Sequence, residues 1–316
     1  MNRKLLHGLG VGLAVAALVY LGVAAYADWG KLQAALRAFH WRLFAPVLGL
    51  SLLNYAIRFC RWQLYLRERR IELAAPLSLR IFLAGLALSV TPGKMGELLK
   101  AYLVRAQTGA PVTRTGPVVV AERLTDLTAL LVLVFAGCLV YRTGFATVAA
   151  SGAVTVLLFL ALASPPAAHL VLGVVERLPR LRRFGEKLEH ALEGMRSLLR
   201  PSLVFQATAL GSCAWFAECL GFALVCRGFG LEVELAYTTF VYAFATIVGA
   251  LVLLPGGLGG TEVTMVLMLV QAGAGKEHAA AATLLTRGAT LWFAVFLGAA
   301  VLLASPRLAV RAQDLD

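Results

Sequence analysis

Two short stretches hold many of the residues whose types and spacing could do chemistry. The first is Ser89–Val90–Thr91–Pro92–Gly93–Lys94–Met95–Gly96–Glu97–Leu98–Leu99–Lys100. Pro92 removes a backbone donor and clashes with the preceding helical turn, while Gly93 and Gly96 permit a sharp reversal. Three charges, Lys94, Glu97 and Lys100, stand at this break. The second stretch runs from Leu253 to Glu262 and repeats the order proline, glycine, apolar residue, glycine, glutamate. Pro255, Gly256 and Gly259 punctuate it, and two extra residues precede Glu262. Apolar helix-like sequence flanks both. A broken helix presents a positive N-terminal end, which suits an anionic group such as a lipid phosphate.

Further charges interrupt otherwise apolar segments. In Glu122–Arg123–Leu124–Thr125–Asp126, Glu122 and Asp126 share a helical face, and Arg123 and Asp126 stand at i, i+3 and can pair. Each charge within a span costs roughly 2.5–3.5 kcal/mol on an insertion scale. Two readings stand: a structural ion pair, or pairing with the first broken element around a polar cavity. Arg58 and Arg61 lie one turn apart, and either snorkel to lipid phosphates or contact a phosphate at the inner mouth of a pathway. Glu218 is a lone acid inside an apolar run, either functional or protonated and merely hydrogen-bonded. Arg287 sits in the last apolar segment.

The five cysteines, Cys60, Cys138, Cys213, Cys219 and Cys226, are odd in number and lie in or beside apolar segments, so they read as packing residues. The five histidines are scattered, and no metal site or cofactor is expected. No nucleophile–base constellation and no Gly-x-x-x-x-Gly-Lys-Ser/Thr loop is present.

The elements that must position these groups follow from composition. Hydrophobic residues are 60% and charged residues 15%, with a mean hydropathy of +0.80. A soluble domain is nearer half apolar and a quarter charged. Several continuous apolar runs reach the ~18 residues of a spanning helix, and they do not alternate as barrel strands do. The expected class is an all-α polytopic membrane protein, one transmembrane domain over residues 1–316. The net charge of +12 gathers in short loops, as the positive-inside rule requires, and nucleic acid is not an expected partner.

Six full spans and two broken re-entrant hairpins are predicted. Asn2–Arg3–Lys4 and Ala25–Tyr26–Ala27 flank the first run like a signal peptide, but Leu5 to Ala27 can span and is expected to remain as the first helix. Residues 28–41 suit a short interfacial helix. The second helix covers about 43–65, with a basic cytoplasmic end. The first broken element covers 77–107 and the following span about 116–141, together the first repeat unit, 77–141. The segment 145–175 is too long for one straight span, and Pro165–Pro166 should end or kink it. The charged linker 176–200 carries Phe184, Leu188, Leu192, Met195 and Leu199 at helical spacing, as in an amphipathic helix on the cytoplasmic membrane surface. The fifth span covers about 202–226 and contains Trp215 and Glu218. The second repeat unit, 236–304, comprises a broken element over 236–273 and a last span over about 279–304.

The units keep register. Pro255 follows Pro92 by 163 residues, and Arg287 follows Arg123 by 164. Glu97 precedes Arg123 by 26 residues, and Glu262 precedes Arg287 by 25. Glu97 is therefore expected near Arg123, and Glu262 near Arg287. Loop charges place unit one entering from the cytoplasm and unit two from outside, with both chain termini cytoplasmic. Inverted repeats built from discontinuous helices are a transporter design, since two related halves can expose one site to either side.

The run Pro92–Gly93–Lys94–Met95–Gly96–Glu97–Leu98–Leu99–Lys100, then Glu122–Arg123–Leu124–Thr125–Asp126–Leu127, resembles the flippase-like transmembrane family of lysylphosphatidylglycerol synthases. So do Pro255–Gly256–Gly257–Leu258–Gly259–Gly260–Thr261–Glu262 with Leu285–Thr286–Arg287, and Arg61–Trp62. Gly260–Thr261 before Glu262 departs from the spacing of the first repeat. In the best-known members this region moves an aminoacylated phospholipid across the bilayer, and a following soluble domain attaches the amino acid. The sequence ends at Asp316, so the resemblance implies a stand-alone translocase of the cytoplasmic membrane. Its expected partners are lipids with an anionic or phosphate-bearing headgroup and a separately encoded lipid-synthesis enzyme. A proton-coupled version could use Glu97, Glu218 or Glu262. The alternatives are an integral-membrane lipid-headgroup transferase, with carboxylates as acid and base, and a non-catalytic partner of a lipid-synthesis enzyme.

Overall fold

The computed structural model describes residues 16–91, 97–142, 145–164, 185–252, 254–305 and 308, apart from the Lys187 side chain. The architecture is all-helical. In chain order the helices are α1 (Ala16–Tyr26), α2 (Trp29–Ala38), α3 (Phe44–Glu68), α4 (Ala75–Leu86), α5 (Leu99–Thr108) and α6 (Val112–Tyr141). They continue as α7 (Phe145–Ala163), α8 (Gly185–Leu198), α9 (Pro201–Gly228), α10 (Leu235–Leu251), α11 (Gly260–Gln271), α12 (Lys276–Arg287) and α13 (Phe293–Ala304). A π turn, Gly288–Trp292, joins α12 to α13.

Among the described residues, five helical stretches are long and apolar enough to cross a membrane: Trp41–Glu68, Val112–Tyr141, Phe145–Ala163, Pro201–Gly228 and Lys276–Ala304. They match five of the six expected spans. The described part of the first expected span, Ala16–Tyr26, is shorter, and residues 1–15 lie outside the described residues. Pro165–Pro166 and the basic linker 176–184 also lie outside them.

Burial divides the molecule into two apolar cores. One gathers the second halves of α6 and α9 with α2, α10, α11 and α12, around Val134, Phe222, Phe240, Ile247 and Met265. The other gathers the first half of α6 with the second half of α3, α4, α5 and α8, around Trp62, Phe82, Leu103, Val118 and Leu198. Each core contains one broken element. The long helices α3, α6 and α9 contribute to both cores, so their middles form the seam between them. Small residues make the closest approaches. A Cβ on Gly137 would fall 2.6 Å from the Phe240 ring, so glycine lets α6 and α10 touch there.

The second broken element turns sharply. Leu254 is extended, as a residue before proline must be. Gly256, Gly257 and Gly259 adopt φ of 62°, 70° and 86°, a region that side chains disfavour. α11 then folds back on α10. In the first element α4 ends at Leu86, turns carry the chain to buried Thr91, and α5 packs back on α4. Its breaker residues Pro92, Gly93 and Gly96, and Lys94, lie outside the described residues.

The amphipathic helix α8, expected at a membrane surface, packs against other helices. Met195, Leu198 and Leu199 are buried, and α8 packs on α6 and α7. Arg69 fastens it by donating to Ser197 Oγ at 3.1 Å, and Arg114 donates to the Arg69 carbonyl at 2.9 Å. Burial and the neighbouring Arg114 charge lower the pKa of Arg69. Of the cysteines expected to pack inside, Cys138, Cys219 and Cys226 are buried, whereas Cys60 and Cys213 are exposed on their helices.

Candidate functional site

The seam between the two cores is where α3, α6 and the start of α5 bring charge together. At 1.5 Å rise per residue, the 30 residues of α6 extend about 45 Å, and Asp126 lies near its middle. Arg58 and Arg61 are one turn apart on α3 and face it, as their spacing requires. Arg61 Nη2 donates to Asp126 Oδ1 at 2.6 Å, and Arg58 Nη2 stands 4.0 Å from Asp126 Oδ2. Arg123 Nη1 lies 3.0 Å from Asp126 Oδ2, and Arg123 Nη2 lies 2.8 Å from Glu97 Oε2. Lys100 Nζ lies 3.7 Å from Glu97 and 2.5 Å from Glu122 Oε2.

Arg58, Arg61, Glu97, Lys100, Glu122, Arg123 and Asp126 thus form one connected network. Both sequence readings of the Glu122–Asp126 segment meet here: Arg123 and Asp126 do pair, and they pair as part of a cluster that includes the first broken element. Glycines make room for the long cations. A Cβ on Gly211 would fall 2.9 Å from Arg61 Nη1, and one on Gly85 would fall 2.5 Å from Lys100 Cγ. Lys100 also lies over the Trp62 ring, 4.8 Å from its centroid, an arrangement that favours the cation. Trp62 is fixed in turn by a 3.1 Å hydrogen bond to Ser78 Oγ.

The network has a sealed floor and an open lip. Arg61 and Glu122 are fully buried, whereas the Arg123 side chain is 24% exposed and that of Arg58 10%. Among the described residues, Arg58 Nε, Arg61 Nε and Nη1, and Glu122 Oε1 are buried without a hydrogen-bond partner. Buried polar atoms of this kind, three donors and one acceptor, are costly unless something pairs with them. Among the described residues of the network four cations, Arg58, Arg61, Lys100 and Arg123, meet three carboxylates, Glu97, Glu122 and Asp126, a balance that suits an anion.

The second unit is arranged differently. Arg287 Nε donates to Glu262 Oε1 at 2.6 Å, so the second expected pair is in contact. The remaining groups of that pair, however, hold the turn. Glu262 Oε2 accepts from the Gly259 N–H at 2.7 Å, and Arg287 Nη2 donates to the Gly256 carbonyl at 2.8 Å. This latch ties Pro255–Gly259 to α12, and the two repeats are not equivalent in charge.

Glu218 is not isolated. The Tyr242 hydroxyl of α10 donates to its Oε2. Tyr55 donates to the Thr290 carbonyl at 2.8 Å, inside the π turn, and Trp292 donates to the Tyr20 hydroxyl. Tyr20, Tyr55 and Tyr242 escaped the sequence reading. The available signal was a tyrosine inside an apolar span, since a buried phenol needs a partner. Away from the seam, a cleft of about 670 Å³ opens between the end of α3 and the start of α4, with Arg67 and Arg70 among its walls.

Residues 9–298 match the family of the lysylphosphatidylglycerol synthase TM region. The sequence is 28% identical over 320 residues to a UPF0104 membrane protein of Methanothermobacter thermautotrophicus, covering 91% of this chain and 94% of that protein. Another UPF0104 membrane protein of the same organism is 31% identical over 135 residues, 40% of each chain.

Proposed function

The chain belongs to the lysylphosphatidylglycerol synthase TM region family, and on that premise we propose that it is a lipid translocase of the cytoplasmic membrane. An anionic, phosphate-bearing headgroup passes along the seam between the two cores while the acyl tails stay in lipid. Both broken elements re-enter the membrane, from opposite sides, and both termini face the cytoplasm. A separately encoded enzyme supplies or consumes the lipid.

One observation carries the reading: seven charged side chains, from α3, the first broken element and the middle of α6, meet in one cluster, and their most exposed member is the cation Arg123. Intramembrane charge of this kind marks pathways for polar cargo. Scaffolding requires no such cluster. Within the network, Glu97, Glu122 and Asp126 each lie against a cation, which disfavours them as bases for headgroup transfer.

The test uses purified full chain in phosphatidylcholine vesicles carrying a trace of fluorescent phosphatidylglycerol, with an impermeant quencher reading the outer leaflet. Wild-type protein should let the inner-leaflet label reach the quencher faster than empty vesicles do. R123A removes one charge-assisted contact, typically worth ~1.5–3 kcal/mol, and should slow the exchange about tenfold or more. R200A, at the exposed Arg200–Glu68 pair, should not. Equal rates in wild-type and protein-free vesicles would overturn the reading.

A further inference from the structure

The cleft between α3 and α4 stands apart from the seam. It encloses about 670 Å³, within the range of roughly 300–1,000 Å³ that holds small molecules. The span that contains α3 ends at Glu68 and α4 begins at Ala75, so the cleft opens where the chain leaves the apolar layer. Its walls pair polar groups, Gln63, Arg67, Arg70 and Glu72, with apolar ones such as Ile71 and Leu73. Among the described residues that line it, two guanidinium groups against one carboxylate leave a surplus of one positive charge. Glu68, beside Arg67, is engaged by Arg200 at 3.2 Å. α4 meets the cleft with its N-terminal end, which no side chain caps among the described residues, and such an end favours negative charge.

Arg70 stands where glycine would be the easier residue. The Ile71 N–H donates to the Leu66 carbonyl at 2.9 Å and closes α3 through a left-handed turn, with Arg70 at φ 51°. A side chain is strained there, so an arginine costs stability that a glycine would not. Arg114 Nη2 braces the turn by donating to the Arg70 carbonyl at 3.1 Å. Gln63 ties the cleft to the charged network. Its Oε1 accepts from Ser78 Oγ at 3.0 Å, that hydroxyl accepts from Trp62 Nε1 at 3.1 Å, and Lys100 lies over the Trp62 ring. Arg67 follows Arg61 by six residues on α3, about 9 Å along the helix axis.

We propose that this cleft binds the phosphodiester of an anionic phospholipid at the membrane surface, held by Arg67 and Arg70, and is the entrance from which the headgroup reaches the seam. A phosphodiester carries one negative charge, which matches the surplus on the walls, and the apolar walls receive the glycerol end of the lipid. The entrance role rests on the transport reading above, whereas the binding site stands on the cleft itself.

The probe is dihexanoyl phosphatidylglycerol added to the full chain in a neutral detergent. After replacement of the native cysteines, A74C places a thiol on the exposed cleft wall, and its rate of reaction with a maleimide reads occupancy. The lipid should shield this thiol saturably, and inorganic phosphate should do so only at about tenfold higher concentration or more, since it lacks the apolar part. The double variant R67A/R70G should need about tenfold more lipid for the same shielding, and R70G alone about fivefold more. R70G relieves the turn, so its unfolding midpoint should lie at or above that of wild type. R200A, at the exposed pair nearby, should change neither reading. In the vesicles above, R67A/R70G should slow lipid exchange. Shielding in R70G and R67A/R70G equal to wild type would overturn the site, as would the absence of shielding in wild type, and translocation would stand. Phosphate acting as tightly as the lipid would overturn the lipid as its occupant. Weakened shielding with exchange at the wild-type rate would overturn the entrance role. Shielding by the lipid without any wild-type exchange would overturn translocation, and the entrance with it, and leave the binding site.

Discussion

Asp126 and Arg123 separate two roles within one network. Asp126 meets Arg61 at 2.6 Å and Arg123 at 3.0 Å, and Trp215 Nε1 also donates to its Oδ1 at 3.3 Å. D126N would leave these guanidinium groups buried without that charge. Losing one partner of a buried pair typically costs ~3–5 kcal/mol, because the survivor stays desolvated. Arg123 is partly exposed, and R123Q leaves Glu97 with Lys100 and Asp126 with Arg61. Reversible unfolding in detergent should therefore show D126N destabilised more than R123Q, while vesicle exchange should be impaired in both. Equal stability of D126N and wild type would show that the network does not hold the helices together. Much of this site was legible in the sequence, because i, i+3 and i, i+4 spacing fixes which charges share a helical face. The partner across the seam was not legible, since spacing along α6 says nothing of the rotation that brings Arg61 to Asp126.

At the scale of the element, proline and glycine located the breaks and the structure shows what the second break requires. Gly256 has φ of 62°, and a Cβ there would meet Leu291 at 3.3 Å and Val90 at 3.5 Å. Gly256 therefore sits where Val90, beside the break of the first element, and the π turn converge on the second. G256A should destabilise the protein by about 1–2 kcal/mol from backbone strain, read as a lowered unfolding midpoint in detergent. The matched pair E262Q and R287Q tests the latch beside it. Each single change should be severely destabilising, and the double variant should lie closer to wild type than the two losses added together, because the pair acts as a unit. Additive losses would show that the two side chains hold the turn independently. The shared motif order suggested equivalent pairs in both repeats. The two extra residues before Glu262 were the sign of difference: they bring the Gly259 N–H to that carboxylate, and the second pair becomes a turn latch.

At the scale of the whole molecule, the two cores and their broken elements state the inverted-repeat hypothesis in physical form. Each core carries one hairpin, α4–α5 or α10–α11, and the three long helices α3, α6 and α9 bind the cores together. The helix class and the span positions were legible because continuous apolar runs and basic loop ends read directly from composition. The division into two cores was not, since it depends on which half of α6 meets which neighbour. Orientation remains the decisive consequence. If the copies are inverted, the junction after α5 and the junction after α11 lie on opposite faces of the membrane. Single cysteines at Thr108 and at Gly275, introduced after replacement of the native cysteines including exposed Cys60 and Cys213, report this directly with an impermeant maleimide. The Thr108 cysteine should label only from the cytoplasmic face and the Gly275 cysteine only from the outer face. Labelling of both from one side would mean that the two hairpins enter together. A single seam could then not be offered to each face in turn by related halves, and translocation would need a route other than the one between the cores.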